Sequence, residues 1–188
     1  MSQRQVLWAA GIAFLALAAA LLVWSTRPGR SSDGAPETAA DTPAGATTTV
    51  TLYFPNGNGR LGREQRELPQ RTVAEQCRDI VLAVLGGPED PDLIAPLPPE
   101  IELGGVLLGT GGVAYVELRQ PGAERPFSYG SQQERLAIYS LVNSVALNHS
   151  LVSSVVLLWN GTQLESFGGH LNTTSPLRPD PTLVAIDP

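Results

Sequence analysis

Lysine is absent from this chain: all 12 basic residues are arginine, set against 18 acidic ones. The formal charge of −6 leaves no basic stripe to neutralise a run of phosphates, which excludes a nucleic-acid partner. Cysteine occurs once, at Cys77, so neither an internal disulfide framework nor a multi-cysteine metal site can form. Aromatic residues make up 6% of the 188 positions, while 16 prolines punctuate the chain, which predicts short elements joined by many turns. Signature loops are missing as well. There is no G-x-S-x-G elbow, Walker loop or Cys–His signature, and His149 and His170 lack the i, i+4 spacing of a zinc-binding helix. The expectation is no enzyme, no metal and no cofactor. A Ser–His pair brought together by folding stays open from sequence alone, because such partners are distant in the chain.

What is present begins at the N-terminus. Val6 to Trp24 runs 19 residues without a charge, close to the ~20 a helix needs to cross a bilayer core. A cleavable signal has a shorter apolar region of ~7–15 residues, so the length predicts an uncleaved transmembrane anchor. Trp8 and Trp24 stand at its ends as interfacial residues do. Residues 1–5 would be cytoplasmic and the rest of the chain extracytoplasmic. Residues 25–46, "STRPGRSSDGAPETAADTPAGA", offer almost no large apolar group to bury and are expected to form a disordered linker. The soluble domain then occupies 47–188, enough for one core.

Inside that domain, Val50, Leu52 and Phe54 alternate with polar residues as in a half-buried strand. "PNGNG" reads as a turn and residues 66–69 as a short return strand. Thr72 and Glu75 have capping-box spacing ahead of an apolar stripe, Val73, Cys77, Ile80, Val81 and Val84, which ends at Gly86-Gly87-Pro88. Two strands flank a glycine turn at 109–112. Ser131 and Glu134 repeat the capping-box spacing before a stripe of Leu136, Tyr139, Val142 and Val145. A strand, an Asn-Gly turn at 160–161 and a return strand close the pattern. The fold class is therefore α+β, a single small domain with two helices packed on one mixed β-sheet.

Several motifs carry a chemical suggestion. "GNGRLG" (57–62) spells G-x-G-x-x-G, but no helix opens behind it to hold a pyrophosphate, so a hairpin turn explains its glycines. The pairs Glu64/Glu67 and Glu75/Asp79 sit among Arg63, Arg66, Arg71 and Arg78, which predicts capping and solvated charge rather than acid–base work. Cys77 lies on the helical stripe and reads as a small buried residue. The sequons at Asn148, Asn160 and Asn172 read as turn chemistry.

Taken in order, "VTLYFPN", "REL", "VLAVLGGP", "LPPEIELGGVLL", "GVAYVEL", "YSLVNSVAL", "VVLLWNG" and "GGHLNTTSPL" resemble the GerMN domain of bacterial sporulation and germination proteins, over residues 48–180. The resemblance implies a small domain without enzymatic activity, displayed outside the cytoplasmic membrane and serving envelope assembly. Relatives are often lipoproteins, whereas this N-terminal region has no cysteine to lipidate, so the apolar run must supply the anchor. Residue by residue, the resemblance carries over to Asn143 in "LVNS" and to Gly168, Gly169 and His170 in the terminal turn, with Asn172 two residues on. Those positions are the candidate structural or interaction residues. Expected partners are envelope proteins or a second copy, or else peptidoglycan, with the membrane engaged through the N-terminal helix. A hydrolase using His170 is the remaining alternative.

Overall fold

The structure is a computed structural model that describes residues 45–186. The apolar run 6–24 and the tether up to residue 44 lie outside the described residues. Among the described residues, no helix is long and apolar enough to cross a membrane.

Strands β1 (Thr47–Pro55) and β2 (Leu61–Pro69) form an antiparallel hairpin, with Thr47 facing Pro69 and Pro55 facing Leu61. On β1 the inward alternation holds, since Val50, Leu52 and Phe54 are buried. β2 runs well beyond 66–69, because β1 offers a full-length ladder. Its exposed Arg63, Gln65 and Glu67 sit on the wet face that an antiparallel pair tolerates. The connecting turn is built by Asn56, whose Oδ1 accepts the N–H groups of Asn58 at 3.0 Å and Arg60 at 3.1 Å. Gly59 supplies the left-handed φ of 70° that this turn needs. The G-x-G-x-x-G glycines thus belong to a hairpin.

Helix α1 (Val73–Leu85) starts where the spacing predicts. The Glu75 carboxylate reaches back to the Thr72 N–H at 3.2 Å and hydroxyl at 2.7 Å. Cys77, Ile80, Val81 and Val84 are buried along one face. β3 (Glu102–Leu108) and β4 (Val113–Arg119) pair antiparallel around a short 3-10 turn at Thr110–Gly112, with a bulge between Leu103 and Gly105. Helix α2 (Ser131–Ala146) follows, and β5 (Ser154–Trp159) returns parallel to β4, as a strand–helix–strand crossover allows.

Two expectations are corrected. There is not one mixed sheet but two: the β1–β2 hairpin and the mixed β3–β4–β5 sheet, with both helices packed on them. The reason lies at the open edge of β1, where side chains of α2 and of the turn just after it stand in for a neighbouring strand. Asn148 Oδ1 accepts the Thr51 N–H at 2.9 Å, its amide donates to the Thr51 carbonyl at 2.8 Å, and Ser144 Oγ accepts the Tyr53 N–H at 2.9 Å. Secondly, no return strand forms after the Asn160-Gly161 turn. Thr162 makes only a bridge to Trp159, and the outer edge of β5 is met instead by Leu177, which exchanges both backbone bonds with Val155 at 2.8 Å.

The core joins Leu52 and Phe54 of β1, Ile80 and Val84 of α1, Val116 and Leu118 of β4, Leu157 of β5 and Ile138, Leu141 and Val145 of α2. α2 is buried nearly all round in its second half, a position that forces its polar residues to find partners.

Candidate functional site

The first turn of α2 holds a buried polar residue as well, Glu134. Its spacing from Ser131 suggests a capping box, but the structure corrects that. Ser131 is the first helical residue, Gly130 precedes it as N-cap without a side-chain bond, and Glu134 turns inward. It is completely buried at 0% exposure. A buried carboxylate must be neutralised or fully hydrogen-bonded, and here the closing loop does the second. Ser166 Oγ and the Gly168 N–H donate to Oε1, both at 2.7 Å. The His170 N–H at 2.8 Å and the Leu171 N–H at 3.3 Å donate to Oε2. Burial pushes the Glu134 carboxyl up, yet the bonds from Gly168, Ser166, His170 and Leu171 outweigh it and hold the group below the ordinary glutamate range.

The loop is shaped for that embrace. Its base is closed by the Thr173 N–H to the Glu165 carbonyl at 2.9 Å and by Thr173 Oγ1 to the Leu164 carbonyl at 2.8 Å. Phe167 turns into the core, edge-on to Trp159 at 6.4 Å. Gly168 lies so close that a Cβ would meet the Glu134 carboxylate at 3.0 Å, and Gly169 adopts a φ of +99° that L side chains resist. Its N–H donates to Ser166 Oγ at 2.8 Å. His170 and Asn172 are left exposed on the outside.

Together with residues 124–128, this loop walls a groove of about 940 Å³. Arg125, Glu165, His170 and Asn172 line it, and half-buried Phe127 contributes an apolar surface, its ring 4.4 Å from that of Tyr129. The opposite wall is also anchored. Trp159 Nε1 at 3.2 Å and the Asn160 amide at 3.0 Å both donate to the Ala123 carbonyl.

Of the sequence candidates, Gly168, Gly169, His170 and Asn172 come together on this groove. Asn172 Oδ1 accepts from the Thr174 N–H at 2.9 Å, a local turn bond. Asn143 does not join them. It is fully buried and clamps a different segment, accepting the Asp180 N–H at 2.8 Å and donating to its carbonyl at 3.0 Å. The residue that composition-level reading misses is Glu134. Its available signal is position: 134, 138, 141 and 145 fall on one helix face, an acid heading a stripe of Ile138, Leu141 and Val145.

Other ionisable groups have structural employment. Glu64, expected on a solvated face, has a side chain only 11% exposed; it pairs with Arg66 at 2.6 Å and accepts the Glu89 and Asp90 N–H groups. Asp79 pairs with Arg71 at 3.0 Å. The Cys77 thiol is buried, and burial pushes it up to about 11, far from a reactive thiolate. The His170 ring has no hydrogen-bond partner among the described residues, and the described residues hold no cluster able to ligate a metal ion.

Solved structures share this fold. The first GerMN domain of the sporulation protein GerM from Bacillus subtilis aligns over 70% of this chain and 98% of its own, at 21% identity and a TM-score of 0.56. The tandem GerMN domains of the same protein align at 18% identity and a TM-score of 0.53, and this chain spans 46% of their length. A Clostridium perfringens "Putative Lipoprotein" aligns over 71% of this chain and 88% of its own, at 16% identity and a TM-score of 0.51. No curated protein sequence matches significantly. The family model named Germane and described as "Sporulation and spore germination" matches residues 51–165, most of the folded domain, and the chain belongs to that family.

Proposed function

We propose that this chain is a membrane-anchored envelope module whose domain lies outside the cytoplasmic membrane and acts by docking a partner protein, not by catalysis. The observation behind this reading is the Glu134 latch. A buried charge fixes a loop that presents His170 and Asn172, both exposed, to an open groove. Such a surface loses little conformational freedom on binding, which favours recognition. Hydrolysis would need His170 beside a nucleophile and an orienting group. The nearby Ser166 hydroxyl is committed to Glu134 instead.

The apolar run 6–24 would supply the anchor and residues 25–46 the tether, as a lipid does for lipoproteins. The mass of the mature protein from its native membrane tests this: retention of residues 1–24 is expected, and a chain lacking them contradicts the anchor. For docking, crosslinked native membranes should yield envelope proteins bound to the full-length chain; recovery of monomeric bait alone contradicts it. A second reading, peptidoglycan binding, is favoured by Phe127 on the groove wall, since sugar rings stack on aromatic faces. Co-sedimentation with purified sacculi, abolished by Phe127→Ala, would replace the protein-docking reading with this one.

A further inference from the structure

β3 is the edge strand of the mixed sheet, and none of its residues is buried. The Gly109 N–H bonds the Val113 carbonyl, so alternation turns Leu107 and Gly105 toward β4 and leaves the polar groups of Val106 and Leu108 on the open side. Nothing among the described residues bonds that side. From Leu103 to Leu108 the strand carries no charge, lysine or proline, and the bulge at Leu103–Gly105 leaves the run from Gly105 to Leu108 regular and unblunted.

Two further residues indicate what covers it. Leu107 is 68% exposed, next to half-exposed Tyr115 on the same outer face. Gly105 closes the bulge that follows Leu103, yet a Cβ there would meet nothing within 4 Å and its φ is not left-handed, so the outer face has an open seat at this position. Gly104 differs, since a Cβ there would strike the Glu117 side chain at 2.7 Å. A glycine inside a strand weakens it, and where the chain has no need of one it often marks the approach of another backbone.

We propose that β3 pairs antiparallel with β3 of a second copy of this chain, about a two-fold axis at Val106, with each Leu107 lying over the partner copy's Gly105. An axis at Val106 makes the outward groups of the two strands face each other and sets residue 107 opposite residue 105. The gap at Gly105 then receives the exposed leucine, and the two three-stranded sheets become continuous. Charge selects the antiparallel sense. Side-by-side parallel pairing would place Glu102 against Glu102, whereas the antiparallel pair sets the two at opposite ends. The contact is independent of what the groove binds.

The test uses the full-length chain in membranes and purified in detergent. Val106→Cys should give an oxidised dimer, whereas exposed Leu151→Cys should not, each checked for folding by a cooperative thermal transition. In the Val106→Cys background, Gly105→Val should fold normally, because its Cβ meets open space, and yet cut the dimer yield several-fold by filling the seat of Leu107. Leu107→Glu should do the same through charge. Should Val106→Cys fail to fold, sedimentation of the wild type against Gly105→Val and Leu107→Glu reads the same contact. A Val106→Cys thiol that labels freely and forms no more dimer than Leu151→Cys overturns the proposal. So does a dimer unaffected by both Gly105→Val and Leu107→Glu.

Discussion

The Glu134 carboxylate on α2 accepts the backbone N–H of His170, 36 residues later, at 2.8 Å. That contact ties the interior of the helix to the most conspicuous surface loop of the domain. Removing it should be costly. In Glu134→Ala the N–H groups of Gly168, His170 and Leu171 lose a common acceptor, and leaving such groups unpaired costs ~1–3 kcal/mol each where they stay buried. A total loss of ~3 kcal/mol is expected by urea unfolding, with hydrogen exchange at those three amides accelerating before the rest of the domain. Unchanged exchange there would remove the latch from the account.

The same carboxylate makes stability depend on pH. Its folded-state pKa is depressed, because the bonds from the loop outweigh burial. The unfolded chain therefore binds the proton more readily. The contribution is complete above the ordinary value of 4.5 and is lost as pH falls through the lower folded value. Glu75 and Asp180 shift downward too, through hydrogen bonds from Thr72 and Thr182 respectively, and add to the same trend. Thermal midpoints should fall on acidification below that pH, and Glu134→Gln should flatten the slope. A midpoint rising toward low pH would contradict the sign.

Asn143 and Asn148 each hold a backbone N–H and carbonyl at once, at Asp180 and Thr51. Replacement of either by Ala is expected to cost ~1–3 kcal/mol. Asn143→Ala should free the C-terminal segment to proteolysis, while Asn148→Ala should expose the edge of β1. Limited proteolysis with mass analysis of the fragments distinguishes the two.

Cys77 should behave as core. Its thiol should react with a disulfide reagent only on unfolding, since burial both blocks access and pushes it up to about 11. Rapid labelling of the native protein would show that α1 opens far more readily than its packing implies.

Much of the fold can be read from residue order, for physical reasons that also set the limit. The stripe on α1 and the alternation on β1 report which face is buried, and both elements form there. Alternation does not report what satisfies an edge. Ser144 in α2 and Asn148 just after its end look like ordinary polar positions, and only folding reveals that they replace a neighbouring strand beside β1. The two T/S-x-x-E spellings teach the same point. At Thr72 the acid reaches back to its own helix start, whereas at Ser131 the helix begins one residue early and Glu134 faces the interior. The imidazole of His170 is of a catalytic type, but its backbone N–H, not its ring, makes the bond that shapes the loop.

In the proposed function the Glu134-fixed loop is the docking surface. A photo-crosslinking residue at position 170, in full-length protein in its native membranes, tests it most directly against the same residue at Leu151. A discrete envelope-protein adduct is expected at position 170, absent at Leu151 and diminished several-fold when Glu134→Ala loosens the loop. Equal adducts at both sites, or an adduct at 170 indifferent to Glu134→Ala, would contradict it.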